Sequence, residues 1–187
     1  MKILCIGDSN TYGYDPRSFL GSRYPREVRW TDRLEGLTGY EVINCGVNGM
    51  TVPADGSNLL ALITKESPDL IIVMLGGNDL LLGRSAEKTS ERMAAFIEAI
   101  MQEERVLLIS PPSFRRGEWV QADAQIEESR HLGELYRNLA YEKGCMFSDA
   151  DEWDIAISFD GVHFLPEGHI RFASKLTEAL NREDSLV

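Results

Sequence analysis

The stretch Leu70-Ile71-Ile72-Val73-Met74-Leu75-Gly76-Gly77-Asn78-Asp79 decides the architecture. Its apolar run is too short for a helix, and it is too uniformly apolar for a strand with one wet face. A strand buried on both faces belongs inside a parallel sheet, because the crossover helices of such a sheet cover both sides. Shorter runs of similar character lie at Lys2 to Ile6, Glu41 to Cys45, Val106 to Ser110 and Cys145 to Ser148.

Between these runs the pattern turns helical. Met93, Phe96, Ile97, Ile100 and Met101 make one apolar stripe, so this helix should lie flat on the sheet. Further helices are expected at about Trp30 to Leu37, Asn58 to Lys65, Ala124 to Glu142 and Pro166 to Leu180, the last opening with a proline suited to a first helical position. Strands alternating with helices predict parallel pairing and right-handed crossovers. The result is an α/β protein, a three-layer α/β/α sandwich on a five-stranded parallel sheet, with its site in loops after the strand carboxyl ends. Two long aperiodic stretches, Asp8 to Arg29 and Pro111 to Asp123, fall on that edge. No linker or repeat interrupts the chain, so residues 1–187 are expected to form one domain.

A chain of 187 residues with 43% apolar content buries about two-thirds of its unfolded surface and needs no disulfide staples. The net charge of -11, spread along the chain, opposes binding to nucleic acid or to an anionic membrane. Cys5, Cys45 and Cys145 each sit in or at the end of an apolar run and read as small hydrophobes, and their odd number gives no disulfide framework. Ile3 to Ile6 is too short an apolar stretch for a leader or a membrane span. A reduced, cytoplasmic protein without a cofactor, acting on a small molecule, is the expectation.

Gly7-Asp8-Ser9-Asn10 follows the first strand and presents Ser9 at the sheet edge, although Asp-Ser after a strand is also ordinary turn or N-cap chemistry. A serine nucleophile needs a base, and histidine suits that task. His131 and His169 fall within helices and read as partly exposed helix residues. His163 ends Asp160-Gly161-Val162-His163, whose spacing lets the carboxylate fold back onto the imidazole, fix its tautomer and stabilise its cation. Gly76-Gly77-Asn78-Asp79 lets backbone approach a ligand while Asn78 aims an amide into the cleft. In Asn44-Cys45-Gly46-Val47-Asn48-Gly49, Gly46 offers a backbone N–H. Each block alone reads more readily as a plain turn, but together they set a nucleophile, two donors and an acid–base pair on one predicted rim.

These four blocks resemble the SGNH hydrolase superfamily, also called GDSL-type esterases and lipases, and the resemblance runs from residue 3 to about residue 172. It implies a flavodoxin-like fold and a serine-dependent carboxylic ester hydrolase working through an acyl-enzyme. Ser9 would be the nucleophile, His163 the general base and Asp160 its orienting acid, with the Ser9 and Gly46 N–H groups and the Asn78 amide as oxyanion donors. Val28-Arg29-Trp30-Thr31, Ile72-Val73-Met74-Leu75 and Ile109-Ser110-Pro111-Pro112 look like the arylesterase and acyltransferase branch, which handles short acyl groups. Alternatives are a lysophospholipase or thioesterase-like enzyme, a carbohydrate acetyl esterase, and a catalytically silent ligand-binding module of the same fold. That branch often forms homo-oligomers, which makes the Phe114 to Val120 loop a candidate interface.

Asp8, Asn10, Tyr12 and Tyr14 flank the nucleophile and are candidate substrate-binding residues, while Phe114 and Trp119 either line the pocket or simply pack. Asn10 stands where the family's four-letter name has leucine. It is expected to supply no required atom, so its effect should fall on the shape of the acyl pocket. A nucleotide-binding domain is opposed by the lack of a glycine-rich phosphate motif after any strand and by the charge of Asp8. Zinc and calcium chemistry lack their ligand spacings.

Overall fold

The structure, a computed structural model, describes residues 1–18, 20–54, 57–101 and 105–184. Its sheet consists of β1 (Lys2–Gly7), β2 (Glu41–Gly46), β3 (Leu70–Met74), β4 (Arg105–Ser110) and β5 (Met146–Asp149), paired in parallel in the order β2-β1-β3-β4-β5. The most apolar run is central, as read, and every residue of β3 is buried. The edge strands β2 and β5 are only partly covered, which suits Glu41, Asn44, Ser148 and Asp149 in them. Register pairs Gly7 with both Gly46 and Met74, and Ser110 with Asp149, so the carboxyl ends form one rim.

Alternation along the strands sends side chains to two separate cores. On one face Leu4, Ile6, Ile71, Val73 and Leu108 meet α5 (Ala86–Ile100) and α6 (Asp123–Lys143), through Met93, Phe96, Ile97, Ile100, Leu132 and Tyr136. Ile63 of α3 (Ser57–Glu66) joins the same core. On the other face Ile3, Cys5, Ile72, Met74, Leu107 and Ile109 meet Trp30 and Leu34 of α2 (Trp30–Thr38) and Phe172 and Leu176 of α7 (Pro166–Asp184). These are the three layers that the alternation of runs predicts. The stripe on α5 is buried from Met93 to Ile100, with Met101 beyond its end and partly covered.

Two short helices were not visible in the pattern: α1 (Ser9–Tyr12) and α4 (Gly77–Leu81), both beginning within three residues of a strand's end. Four or five residues are too few for a 3.6-residue period to show. The stretch from Asp8 to Arg29 also contains a Tyr14–Arg23 bridge. The three cysteines are free, and Cys45 and Cys145 are half-buried rather than enclosed. Among the described residues no helix is long and apolar enough to cross a membrane.

Phe172 on α7 is fully buried among Trp30, Trp153 and Phe164, with ring centroids 4.8, 5.0 and 5.4 Å away. Phe172→Ala should lower the unfolding free energy by about 3–5 kcal/mol, measured by urea denaturation. A loss below about 1 kcal/mol would mean that this cluster collapses around the deletion and does not anchor the helix.

Candidate active site

The turn after β1 is dictated by space. A Cβ on Gly7 would lie 2.0 Å from Thr11 Oγ1, so only glycine lets the strand pass this close to α1. Asp8 then caps α1, its Oδ1 accepting from Asn10 N at 2.9 Å, and Ser9 begins the helix. On the other side of the site, a bridge between Ile157 and Phe164 pinches off a loop that turns at Gly161, where φ is 87°. Asp160 Oδ1 accepts from the N–H groups of Val162 and His163, each at 2.9 Å, which folds the carboxylate back onto its own turn.

This brings together three side chains that lie far apart in the chain. Asp160 Oδ2 is 2.8 Å from His163 Nδ1, and His163 Nε2 is 2.9 Å from Ser9 Oγ. Burial would raise the Asp160 carboxyl, but hydrogen bonds from the His163 ring and from the backbone N–H groups of His163 and Val162 outweigh it and hold the carboxyl below its ordinary value. An ionised carboxylate only accepts, so Nδ1 carries the ring proton and Nε2 is left to accept from the serine hydroxyl. Tyr14 and Trp119 pack on the same imidazole, with centroids 4.8 and 4.9 Å away.

Trp119 is seated by the loop after β4. Arg115 N donates to Gly161 O at 3.0 Å, Glu118 N to Phe159 O at 3.1 Å and Trp119 N to Asp160 O at 3.0 Å. A Cβ on Gly117 would lie 2.4 Å from the Asp160 carbonyl carbon, so these two loops interlock only because that residue is glycine. Phe114 and Val120 are buried in the chain's own core, leaving half-exposed Trp119 as the aromatic side chain that this loop presents.

Ser9, Tyr14, Asn48, Gly49, Asn78, Trp119 and His163 line a cleft of about 230 Å³. A larger hollow of about 380 Å³ between α5 and α6, with Glu87, Ser90, Glu91 and Glu142 on its walls, lies apart from the Ser9–His163 pair. Asn78 enters the cleft at the start of α4, where its Nδ2 donates to Met50 O at 3.1 Å and approaches Asp8 Oδ2 at 3.5 Å.

Gly46 does not line the cleft. Its N–H donates to Asn44 Oδ1 at 2.9 Å, and a Cβ there would lie 2.1 Å from Tyr12 N, so this glycine serves the close packing of β2 on α1. Gly49, three residues on with φ 74°, lines the cleft instead. Its signal in the sequence was the Asn48-Gly49 pair, typical of a turn with positive φ.

Of the candidate substrate-binding residues, only Tyr14 lines the cleft. Asp8 is buried beneath it, and Tyr12 turns to the Arg23 guanidinium, 4.6 Å from its ring. Asn10 is also buried. Its Nδ2 donates to Val162 O at 3.2 Å and its Oδ1 accepts from Phe164 N at 2.9 Å, so it shapes the histidine loop and not an acyl pocket. His169 is fully enclosed rather than partly exposed: its ring packs on Tyr24 and Phe164, and burial holds it neutral, down to about 3.

Residues 5–171 match the model of the GDSL-like Lipase/Acylhydrolase family. Est24, a carbohydrate acetylesterase from Sinorhizobium meliloti, superposes with a TM-score of 0.84 at 26% identity over 97% of this chain and 98% of that one. The aryl esterase of M. smegmatis superposes with a TM-score of 0.85 at 25% identity, again over 97% and 98%. Esterase TesA of Pseudomonas aeruginosa is 32% identical over 79 residues, which is 40% of this chain and 39% of that protein. The match therefore spans less than half the length of that relative.

Burial pushes the Asp8 carboxyl from its ordinary 3.8 up to about 6, against the opposing pull of the Asn10 N–H and of His163. A carboxyl raised in the folded state binds its proton more tightly there than in the unfolded chain, so its contribution to stability is lost as pH rises from about 4 to about 6. Asp8→Asn removes that loss. The variant should gain on wild type by on the order of 2–3 kcal/mol across this window, and the difference should stay level above about pH 7, in urea unfolding at a series of pH values. A difference independent of pH would contradict the raised carboxyl.

Proposed function

Because the chain belongs to the GDSL-like lipase/acylhydrolase family, we propose that it is a serine-dependent carboxylic ester hydrolase, acting on small or short-acyl esters through an acyl-enzyme. The observation that carries this reading is the relay from Asp160 through His163 to Ser9, closed by contacts of 2.8 and 2.9 Å at the mouth of a cleft.

Ser9 Oγ attacks the ester carbonyl while its proton passes to His163 Nε2, and Asp160 stabilises the imidazolium that forms. The carbonyl oxygen becomes an oxyanion. Its donors are the Ser9 N–H, the Asn78 amide and the Gly49 N–H in place of that of Gly46. The Asn78 hydrogen facing Asp8 is the one to redirect, because at 3.5 Å that contact is weak and little is lost in breaking it. Collapse of the intermediate expels the alcohol, which takes the proton from His163, and leaves the acyl group on Ser9. Water, activated by the same imidazole, then releases the acid; an alcohol in its place would give acyl transfer.

The cleft supports a small acyl group. Its volume of about 230 Å³ lies below the roughly 300–1,000 Å³ usual for drug-sized ligands. The relatives' names, an aryl esterase and a carbohydrate acetylesterase, differ in the alcohol portion while sharing the carbonyl chemistry. Three free thiols suit a reducing, cytoplasmic setting.

A series of nitrophenyl esters of increasing acyl length tests the reading, with acetate expected to be turned over best; a preference for long chains would favour the lysophospholipase or thioesterase alternative. Ser9→Ala should lose both this activity and covalent labelling by a fluorophosphonate, and turnover surviving in that folded variant would remove the mechanism. Asn78→Ala should lower kcat by roughly 10²- to 10³-fold, and an unchanged kcat would remove it from the oxyanion site.

A further inference from the structure

The side chain of Asn10 contacts neither the cleft nor the reacting groups, yet it holds both peptide groups that flank His163. Its amide nitrogen donates to the carbonyl of Val162 and its amide oxygen accepts from the N–H of Phe164. The amide thus spans the general base from behind, one hydrogen bond on each side of residue 163.

The other polar groups of Asn10 are also used. Its backbone N–H donates to Asp8 Oδ1 at 2.9 Å, and its carbonyl accepts from Trp30 Nε1 at 3.0 Å. Anchored in this way, the side chain extends from a fixed turn, and the residue before it is the nucleophile. We propose that Asn10 is a positioning residue, which fixes the spacing between Ser9 Oγ and His163 Nε2 by tying the nucleophile's turn to the backbone on both sides of the base. The proposal rests on Ser9 and His163 being the catalytic pair.

The geometry requires an amide. A planar group with a donor and an acceptor side by side can serve one carbonyl and one N–H two residues apart in this loop. Leucine, the residue in the family's motif name, offers neither. In its place the Phe164 N–H, which lies in buried surroundings, would lose its acceptor. Aspartate, of the same shape, keeps the acceptor for Phe164 but sets an oxygen against the Val162 carbonyl.

The test compares wild type, Asn10→Leu and Asn10→Asp with Leu180→Ala, a buried position on α7 outside the site. Unfolding midpoints, kcat and KM for nitrophenyl acetate, and the rate of labelling by a fluorophosphonate are measured where all four are folded. Asn10→Leu should lose about 10- to 100-fold in kcat and in labelling rate with KM within about twofold of wild type, since His163 is displaced while Tyr14, Asn48, Gly49 and Asn78 of the cleft are not. Asn10→Asp, isosteric and keeping one of the two bonds, should lose less, and Leu180→Ala should lose stability while keeping kcat. A folded Asn10→Leu or Asn10→Asp variant with wild-type kcat overturns the proposal, as does an equal fall of kcat in Leu180→Ala. If Asn10→Leu does not fold, Asn10→Asp decides alone. Wild type no more active than Ser9→Ala would instead refute the catalytic pair itself.

Discussion

A hydrogen bond of 2.9 Å between Ser9 Oγ and His163 Nε2 joins residues 154 positions apart, and most of the loop structure exists to hold its two ends. In the order β2-β1-β3-β4-β5 two strands separate β1 from β5, which at the usual spacing is about 14 Å. The sheet by itself therefore does not bring Ser9 and His163 together. The segment after β5 has to travel back across the rim, first as a helical turn at Ala150–Trp153 and then as the loop carrying Asp160 and His163. It is held there from two directions, by Asn10 below and by the loop from Arg115 to Trp119 beside it.

That return path explains the glycines on the rim. Gly117 and Gly161 lie where two loops approach backbone to backbone, and a Cβ on Gly161 would sit 2.1 Å from Arg115 O. Gly46 does the same for α1 against the end of β2, and Gly7 leaves room for the Thr11 side chain of α1 at the end of β1. The site is thus assembled from close main-chain approaches that few side chains would permit, and its precision comes from the hydrogen bonds those approaches allow.

Dense packing carries an electrostatic cost. Asp8, Ser9, Asn10, Asp160 and His163 are all buried, and buried polar groups are tolerable only when they are paired. Asp160 meets that condition with bonds to both of its oxygens. Asp8 meets it less well, with one short bond and one long one. Burial therefore holds its carboxyl above the usual range, and the folded state carries this local destabilisation beside Ser9.

The residues alone determined the layers, the parallel sheet, the central place of β3 and the closure of Asp160 onto His163, because each follows from local composition or short spacing. A run such as Leu70 to Leu75 has one comfortable environment, and an Asp three residues before a His closes on it within a single turn. What only the tertiary structure decided was which of several similar residues faces the cleft. Gly46 and Gly49 sit in one glycine-containing loop, and the choice between them depends on Asn44 turning back to take the Gly46 N–H. Asn10 read as a substrate-binding candidate that shapes the acyl pocket, since the two partners that set its real place lie 152 and 154 residues away. His169 read as a partly exposed helix residue, but the Tyr24 and Phe164 rings close over it. Spacing along a chain encodes contacts made within a turn; contacts between distant loops are set by where the sheet and helices place the backbone, and that placement is a property of the whole packed core.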